Sequence, residues 1–127
     1  MHPDQSCLFC TIPAERIVAS NDMAYAIRDG FPVTPLHTLV IPKRHVEDFF
    51  GLSEAELQAC HDLLIQLRSS ILAEDAEVEG FNIGMNAGRV AGQTIFHCHI
   101  HLIPRRRGDV ENPRGGMRHI IPGKGFY

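Results

Sequence analysis

The sequence predicts an α+β fold in which one antiparallel sheet of five strands carries one long helix on a face and short helical segments in its connections. Three observations point there. Short apolar runs recur between turn signals, one longer stretch repeats apolar residues at helical spacing, and the strand-like runs succeed one another through short loops.

Residues 17–27 form two apolar stretches around Ser20-Asn21-Asp22, the pattern of a hairpin whose polar residues make the turn. Asp29-Gly30-Phe31-Pro32 breaks the pattern. Between Pro35 and Pro42, Thr38-Leu39-Val40-Ile41 is β-branched and aliphatic and too short for a helix, so it reads as a third strand. The helix follows. Ser53 and Glu56 make a Ser-x-x-Glu capping box and Leu52 can staple onto Leu57. Leu57, Cys60, Leu64, Leu67 and Ile71 then lie three or four apart on one face, up to about Ala73. After Gly80, residues 81–85 alternate with period two and predict a strand, and residues 86–92 are a loop with two glycines. Residues 94–103 predict the last strand, stopped by Pro104 and three arginines.

With 127 residues, 44% of them hydrophobic, one core can bury roughly two-thirds of the unfolded chain's surface, so a single domain over 1–127 is expected. No run of 18 apolar residues exists to span a membrane, and Met1-His2-Pro3-Asp4 lacks the layout of a signal peptide, which places the chain in the cytoplasm. Cysteines stay reduced there, so Cys7 and Cys10 read as metal ligands or free thiols rather than a bridge. The net charge of −3 and a pI near 6.2 argue against nucleic acid as partner. Charge is uneven, however. Residues 105–127 carry six basic residues (Arg105, Arg106, Arg107, Arg114, Arg118, Lys124) against Asp109 and Glu111, a tail that either meets an anionic ligand or faces water.

Three of the eight histidines stand at 97, 99 and 101. On a strand, alternation puts all three on one face and Cys98, Ile100 and Leu102 on the other. Three adjacent imidazoles cannot all be charged cheaply, so such a row needs a function or a metal. Two chemistries suit it. A neutral imidazole can attack phosphorus as a nucleophile, and imidazoles can bind zinc. The preceding Gly92-Gln93-Thr94 offers backbone N–H, amide and hydroxyl donors of the kind that meet phosphate oxygens.

The segment Gly92-Gln93-Thr94-Ile95-Phe96-His97-Cys98-His99-Ile100-His101-Leu102-Ile103-Pro104 resembles the histidine triad (HIT) motif, His-φ-His-φ-His-φ-φ with φ apolar, of a superfamily of nucleotide hydrolases and transferases. The resemblance extends over residues 7–104, through the Cys-rich start, Asp29, Leu39-Val40-Ile41-Pro42-Lys43-Arg44-His45 and Asn86. It implies a HIT-like fold that pairs as a homodimer and cleaves nucleotides at the α-phosphate. By position, His99 would be the nucleophile, and His101 and His37 would hold it and the α-phosphate. Gly92, Gln93, Thr94 and Asn86 would serve the phosphate region, Asp29 the ribose hydroxyls, and Leu8 and Phe9 the base. His101 stands where transferases and phosphorylases of the superfamily often carry glutamine, which favours hydrolysis of dinucleoside polyphosphates or nucleoside phosphoramidates. A nucleotide-binding regulatory module with incidental hydrolysis is the other reading.

The same resemblance implies a structural zinc site from Cys7, Cys10, His45 and the first triad histidine, His97, with no organic cofactor. The tail resembles that of bacterial members labelled dinucleoside polyphosphate hydrolases; Arg114 or Arg118 can pair with extra phosphates if it lies near the site, and the other reading is a surface turn at Gly115-Gly116 whose arginines face water. His2, His61 and His119 fit neither constellation and read as solvent-facing.

Overall fold

A computed structural model describes residues 6–127; His2, and with it the segment read for a signal peptide, lies outside the described residues. Asn21 closes the first hairpin: its side-chain oxygen accepts the N–H groups of Met23 and Ala24, so strand β1 (Ile17–Ser20) turns into β2 (Ala24–Arg28). Strand β3 (Thr38–Pro42) follows, then helix α1 (Glu54–Glu74), β4 (Val78–Gly84) and β5 (Ile100–Arg106). Short 3₁₀ turns at Leu8–Cys10, Ala14–Arg16, Phe49–Gly51, Arg89–Ala91 and Gly116–Ile120 fill the connections. The five strands form one antiparallel sheet in the order β1-β2-β3-β5-β4.

Period-two alternation sorts the side chains of the three inner strands, β2, β3 and β5, onto two faces. Ala24, Ala26, Val40, Ile100 and Leu102 pack against α1, while Tyr25, Ile27, Leu39 and Ile41 pack with Phe9 on the opposite face. Strands buried on both sides read as continuous apolar runs, which is why Thr38–Pro42 shows no alternation in sequence. Truncating Leu63 or Ile71 of α1, each almost fully buried, to alanine costs about 2–5 kcal/mol.

The capping box forms as the sequence predicts: Ser53 Oγ accepts Glu56 N–H at 3.1 Å and Glu56 Oε1 accepts Ser53 N–H at 2.9 Å. The buried stripe, however, is Glu56, Cys60, Leu63, Leu67 and Ile71, with Leu64 half-buried and Leu57 44% exposed. Glu56 takes an inner position because Arg44 grips its carboxylate through two hydrogen bonds of 2.7 and 2.8 Å.

The last strand also differs from expectation. It begins at Ile100, so His97, Cys98 and His99 lie on a bent approach, and it runs through Pro104 to Arg106. Pro104 is tolerated because β3 has already ended beside it: its carbonyl accepts the Thr34 hydroxyl on the side where a missing N–H has no partner to lose. Arg105 and Arg106 therefore belong to the sheet. Among the described residues no helix is long and apolar enough to cross a membrane.

Candidate functional site

The sheet register lays out the floor of a cleft. His101 on β5 faces Leu39 on β3, Leu39 faces Ile27 on β2, and Ile27 faces Ile17 on β1, a row of cross-strand neighbours over four strands. His101, Leu39 and Ile27 line a cleft of about 290 Å³ on the face away from α1. Asp29, Gly30 and Phe31 line it beyond the end of β2, and Leu8 and Phe9 enter from the first 3₁₀ turn. The Tyr25 hydroxyl donates to the Phe9 carbonyl and fastens that turn to the sheet. Asn86, Gly92, Thr94, Ile95 and His99 line its other side, and Arg16 also reaches it. His37 and Gln93 do not line the cleft and are each 3% exposed.

Hydrogen-bond polarity assigns the ring protons. His99 Nδ1 lies 2.9 Å from the His97 carbonyl oxygen, which can only accept, so Nδ1 carries a proton and in the neutral ring the lone pair is on Nε2. The Val33 N–H donates to His37 Nδ1 at 3.1 Å, so the His37 proton sits on Nε2 and is donated to His101 Nδ1 at 2.9 Å. His101 is thereby left with a proton on Nε2. Burial lowers the pKa of His37 against the pull of Asp29, 3.4 Å away. Burial first, then the neighbouring His99 and His37, lowers that of His101 to about 4, so both rings are neutral near pH 7.

The loop before the triad is braced from within. Gln93 donates from Nε2 to the carbonyls of Glu47 (2.7 Å) and Ile95 (3.1 Å) and accepts Gly88 N–H at Oε1 (2.9 Å). Its amide is fully used, so in this arrangement it offers a ligand no donor. The N–H groups of Gly92 and Gln93 are likewise spent on Arg89 and Gly88 carbonyls. Gly92 stands at φ +96°, where a side chain would be strained. Thr94 is exposed at the cleft with its hydroxyl and N–H making no hydrogen bond among the described residues.

The bend before β5 breaks the expected row of three histidines. Cys98 N–H donates to the Val46 carbonyl at 2.7 Å, both His97 and Cys98 are buried, and His97 turns toward the N-terminus. There Cys7, Cys10, His45 and His97 bring one ligand atom each within 4.8 Å of one another. His97 Nδ1 is 3.4 Å from both sulfurs, and His45 Nδ1 is 3.2 Å from Cys10 Sγ. A tetrahedral ion bonded at about 2.3 Å to sulfur and 2.0 Å to nitrogen sets those atoms about 3.5 Å apart, so the donor set fits. His97 Nε2 donates to the Pro42 carbonyl at 2.7 Å, which turns the Nδ1 lone pair to the sulfurs.

Asp29, His37 and His101 also approach one another closely enough to suggest a metal site. Their wiring opposes it. The Val33 N–H occupies His37 Nδ1, so the nitrogen facing the cluster is the protonated one.

Residues 12–108 match the HIT domain. The chain belongs to the HIT domain family. An uncharacterised HIT-like protein of Saccharolobus solfataricus is 39% identical over 126 residues, covering 93% of this chain and 84% of that one. In structure the chain is similar to a hypothetical histidine triad nucleotide-binding protein of Sulfolobus tokodaii, with TM-score 0.74 and 36% identity over 81% of this chain and 71% of that one. It is also similar to a Zn-bound histidine triad family protein of Mycobacterium smegmatis, with TM-score 0.73 and 33% identity over 82% of this chain and 78% of that one.

Other parts of this HIT chain depart from the sequence reading. The Arg114 and Arg118 guanidinium groups lie over the Tyr127 ring, 4.6 and 4.9 Å from its centroid, and neither lines the cleft. His61 and His119 are both exposed as expected, and His119 in addition donates to the Arg114 carbonyl at 2.9 Å and packs edge-on against Phe126. Sequence reasoning missed Arg16 and Phe31, which both line the cleft. No local pattern marks Arg16; only the pairing of β1 with β2 brings it there.

Proposed function

We propose that this HIT-family chain is a nucleotidyl hydrolase that cleaves at the α-phosphate of dinucleoside polyphosphates or nucleoside phosphoramidates through a nucleotidyl-His99 intermediate. The observation that carries the reading is the His99 tautomer: Nδ1–H is pinned to the His97 carbonyl at 2.9 Å, so the ring that lines the cleft presents Nε2 as a lone-pair nucleophile.

In the first step Nε2 bonds to phosphorus and the bond to the leaving group breaks. A polyphosphate departs as an anion, and an amine takes a proton from solvent in the open cleft. His101 Nε2–H and the Thr94 hydroxyl donate to phosphate oxygens as charge collects on them. Water then attacks phosphorus, the P–Nε2 bond breaks, and the water's proton leaves to solvent with the nucleoside monophosphate. Asp29 accepts from the ribose hydroxyls; an ionised carboxylate has about four acceptor sites, and Phe31 N–H uses one of them.

Zinc suits the Cys7, Cys10, His45 and His97 cluster, and four protein ligands leave it no open position. The ion would cross-link the N-terminus to the triad segment and take no part in the chemistry. The homodimer implied by resemblance is consistent with the open edge that β4 leaves on the sheet.

Chromatography of products from diadenosine polyphosphates and adenosine phosphoramidate, with His99→Ala as control, tests the reading. AMP release abolished in the variant supports it and identifies the leaving group. Tight AMP binding with only trace turnover favours a regulatory nucleotide-binding module instead.

A further inference from the structure

The end of the cleft farthest from the triad carries an unassigned arginine. Arg16 immediately precedes Ile17, the last member of the row His101, Leu39, Ile27, Ile17, and its guanidinium reaches over the end of β2 beside Arg28 and Gly30. A nucleotide whose phosphorus meets His99 and whose ribose meets Asp29 on β2's extension directs its base toward β1. Arg16 Nη2 donates to the Arg28 carbonyl at 3.3 Å and packs near Gly30, which orients the guanidinium and leaves most of its N–H groups open. Among the described residues Arg16 has no carboxylate partner. On the same cleft the Phe31 ring is 92% exposed although it belongs to the lining, and Phe31 N–H is held by Asp29 Oδ1 at 2.8 Å. The residue placed against the ribose thus also sets the aromatic.

Resting on the nucleotidyl-hydrolase reading, we propose that Arg16 and Phe31 form a base-reading subsite that selects bases with two adjacent acceptors on one edge, as guanine has, over adenine. Arginine only donates, and its fork matches O6 and N7 of guanine, whereas adenine sets an amino donor beside N7. An exposed aromatic ring stacks on any base and adds affinity without choosing among them.

The test is kcat/KM for guanosine, inosine and adenosine 5′-phosphoramidates, single nucleotides that present one base each. The wild type favours guanosine and inosine over adenosine by roughly 5- to 150-fold, because inosine keeps O6 and N7. Arg16→Ala collapses that preference to under about twofold, while Phe31→Ala lowers all three substrates by a common factor. Equal activity on the three bases in the wild type, or an equal loss on all three in Arg16→Ala, overturns the proposal. If none is hydrolysed, the hydrolase reading fails by itself, and calorimetric binding of GMP, IMP and AMP decides the inference. A preference for GMP and IMP that Arg16→Ala removes supports it, and equal affinities overturn it.

Discussion

His37 donates from Nε2 to His101 Nδ1 at 2.9 Å, and the Val33 N–H fixes that direction by occupying the other His37 nitrogen. Burial first, and then the neighbouring His99 and His37, keeps His101 neutral, with a folded pKa of about 4 against an ordinary value near 6.5. As pH falls, the unfolded chain takes up this proton first. The stability tied to His101 is whole above about pH 6.5 and is lost as pH falls toward about 4. Between about pH 7.5 and 5 the wild type should lose on the order of 1–2 kcal/mol more unfolding free energy than His101→Asn. Denaturant titrations at the two pH values check this, and parallel losses in the two proteins would refute it.

The Cys7, Cys10, His45 and His97 cluster makes a prediction of a different kind, because it is separate from the cleft. Cys7→Ser should remove the bound metal and cost on the order of 2–4 kcal/mol of stability, seen as a fall in Tm of about 10 °C. The single-turnover rate at His99 should change far less. Metal content by mass spectrometry, Tm with and without chelator, and the rate of the folded variant measure the three effects. Unchanged metal content and Tm would remove the site.

What the sequence disclosed divides along the range of the interaction. The capping box of Ser53 and Glu56 and the turn at Asn21 are contacts within four residues, and both form as their patterns require. The helix stripe shifts by one position because the residue that admits Glu56 to the interior, Arg44, lies twelve residues away, beyond the reach of periodicity. The triad row fails as a strand for the same reason: its bend depends on Cys98 meeting Val46 and on His97 meeting two cysteines some ninety residues upstream. Cys7 and Cys10 read locally as metal ligands or free thiols, but their union with His45 and His97 was legible only through resemblance, since nothing local joins the cysteines to those histidines. Arg16 was not legible at all, because its place is a property of sheet register.

Arg44 and Glu56 tie the helix N-terminus to the segment that carries His45. Arg44 also donates to the Gly51 carbonyl at 2.9 Å, so one guanidinium holds both the connection and the cap. Hydrogen bonds from Arg44 keep Glu56 at a pKa of about 2, so its contribution is whole above about pH 4.5 and disappears only as pH falls toward 2. Glu56→Ala removes the pair and the capping box together. With the guanidinium 40% exposed, the expected loss is on the order of 2 kcal/mol, not the full value of a buried pair. A double-mutant cycle with Arg44→Ala should give a coupling of about 1 kcal/mol, and weaker metal retention should accompany the loss, because His45 is the next residue. Additive single-mutant effects would show that the pair is incidental.

Gln93 separates two ways in which a loop residue can support catalysis. Its three hydrogen bonds, to Glu47, Ile95 and Gly88, close the loop that presents Thr94, and the side chain is buried. Gln93→Met keeps the volume and removes all three, leaving carbonyls and an N–H to find water. The cost should be on the order of 2 kcal/mol, with faster hydrogen exchange at the Gly88 amide. Because the amide has no donor left for substrate, kcat/KM should fall by the same factor for polyphosphate and amine leaving groups. A loss that depends on the leaving group would instead mean that Gln93 swings out to touch it during turnover, which requires all three bonds to break first. The exchange rate at Gly88 in the wild type, with and without bound nucleotide, would report that opening directly.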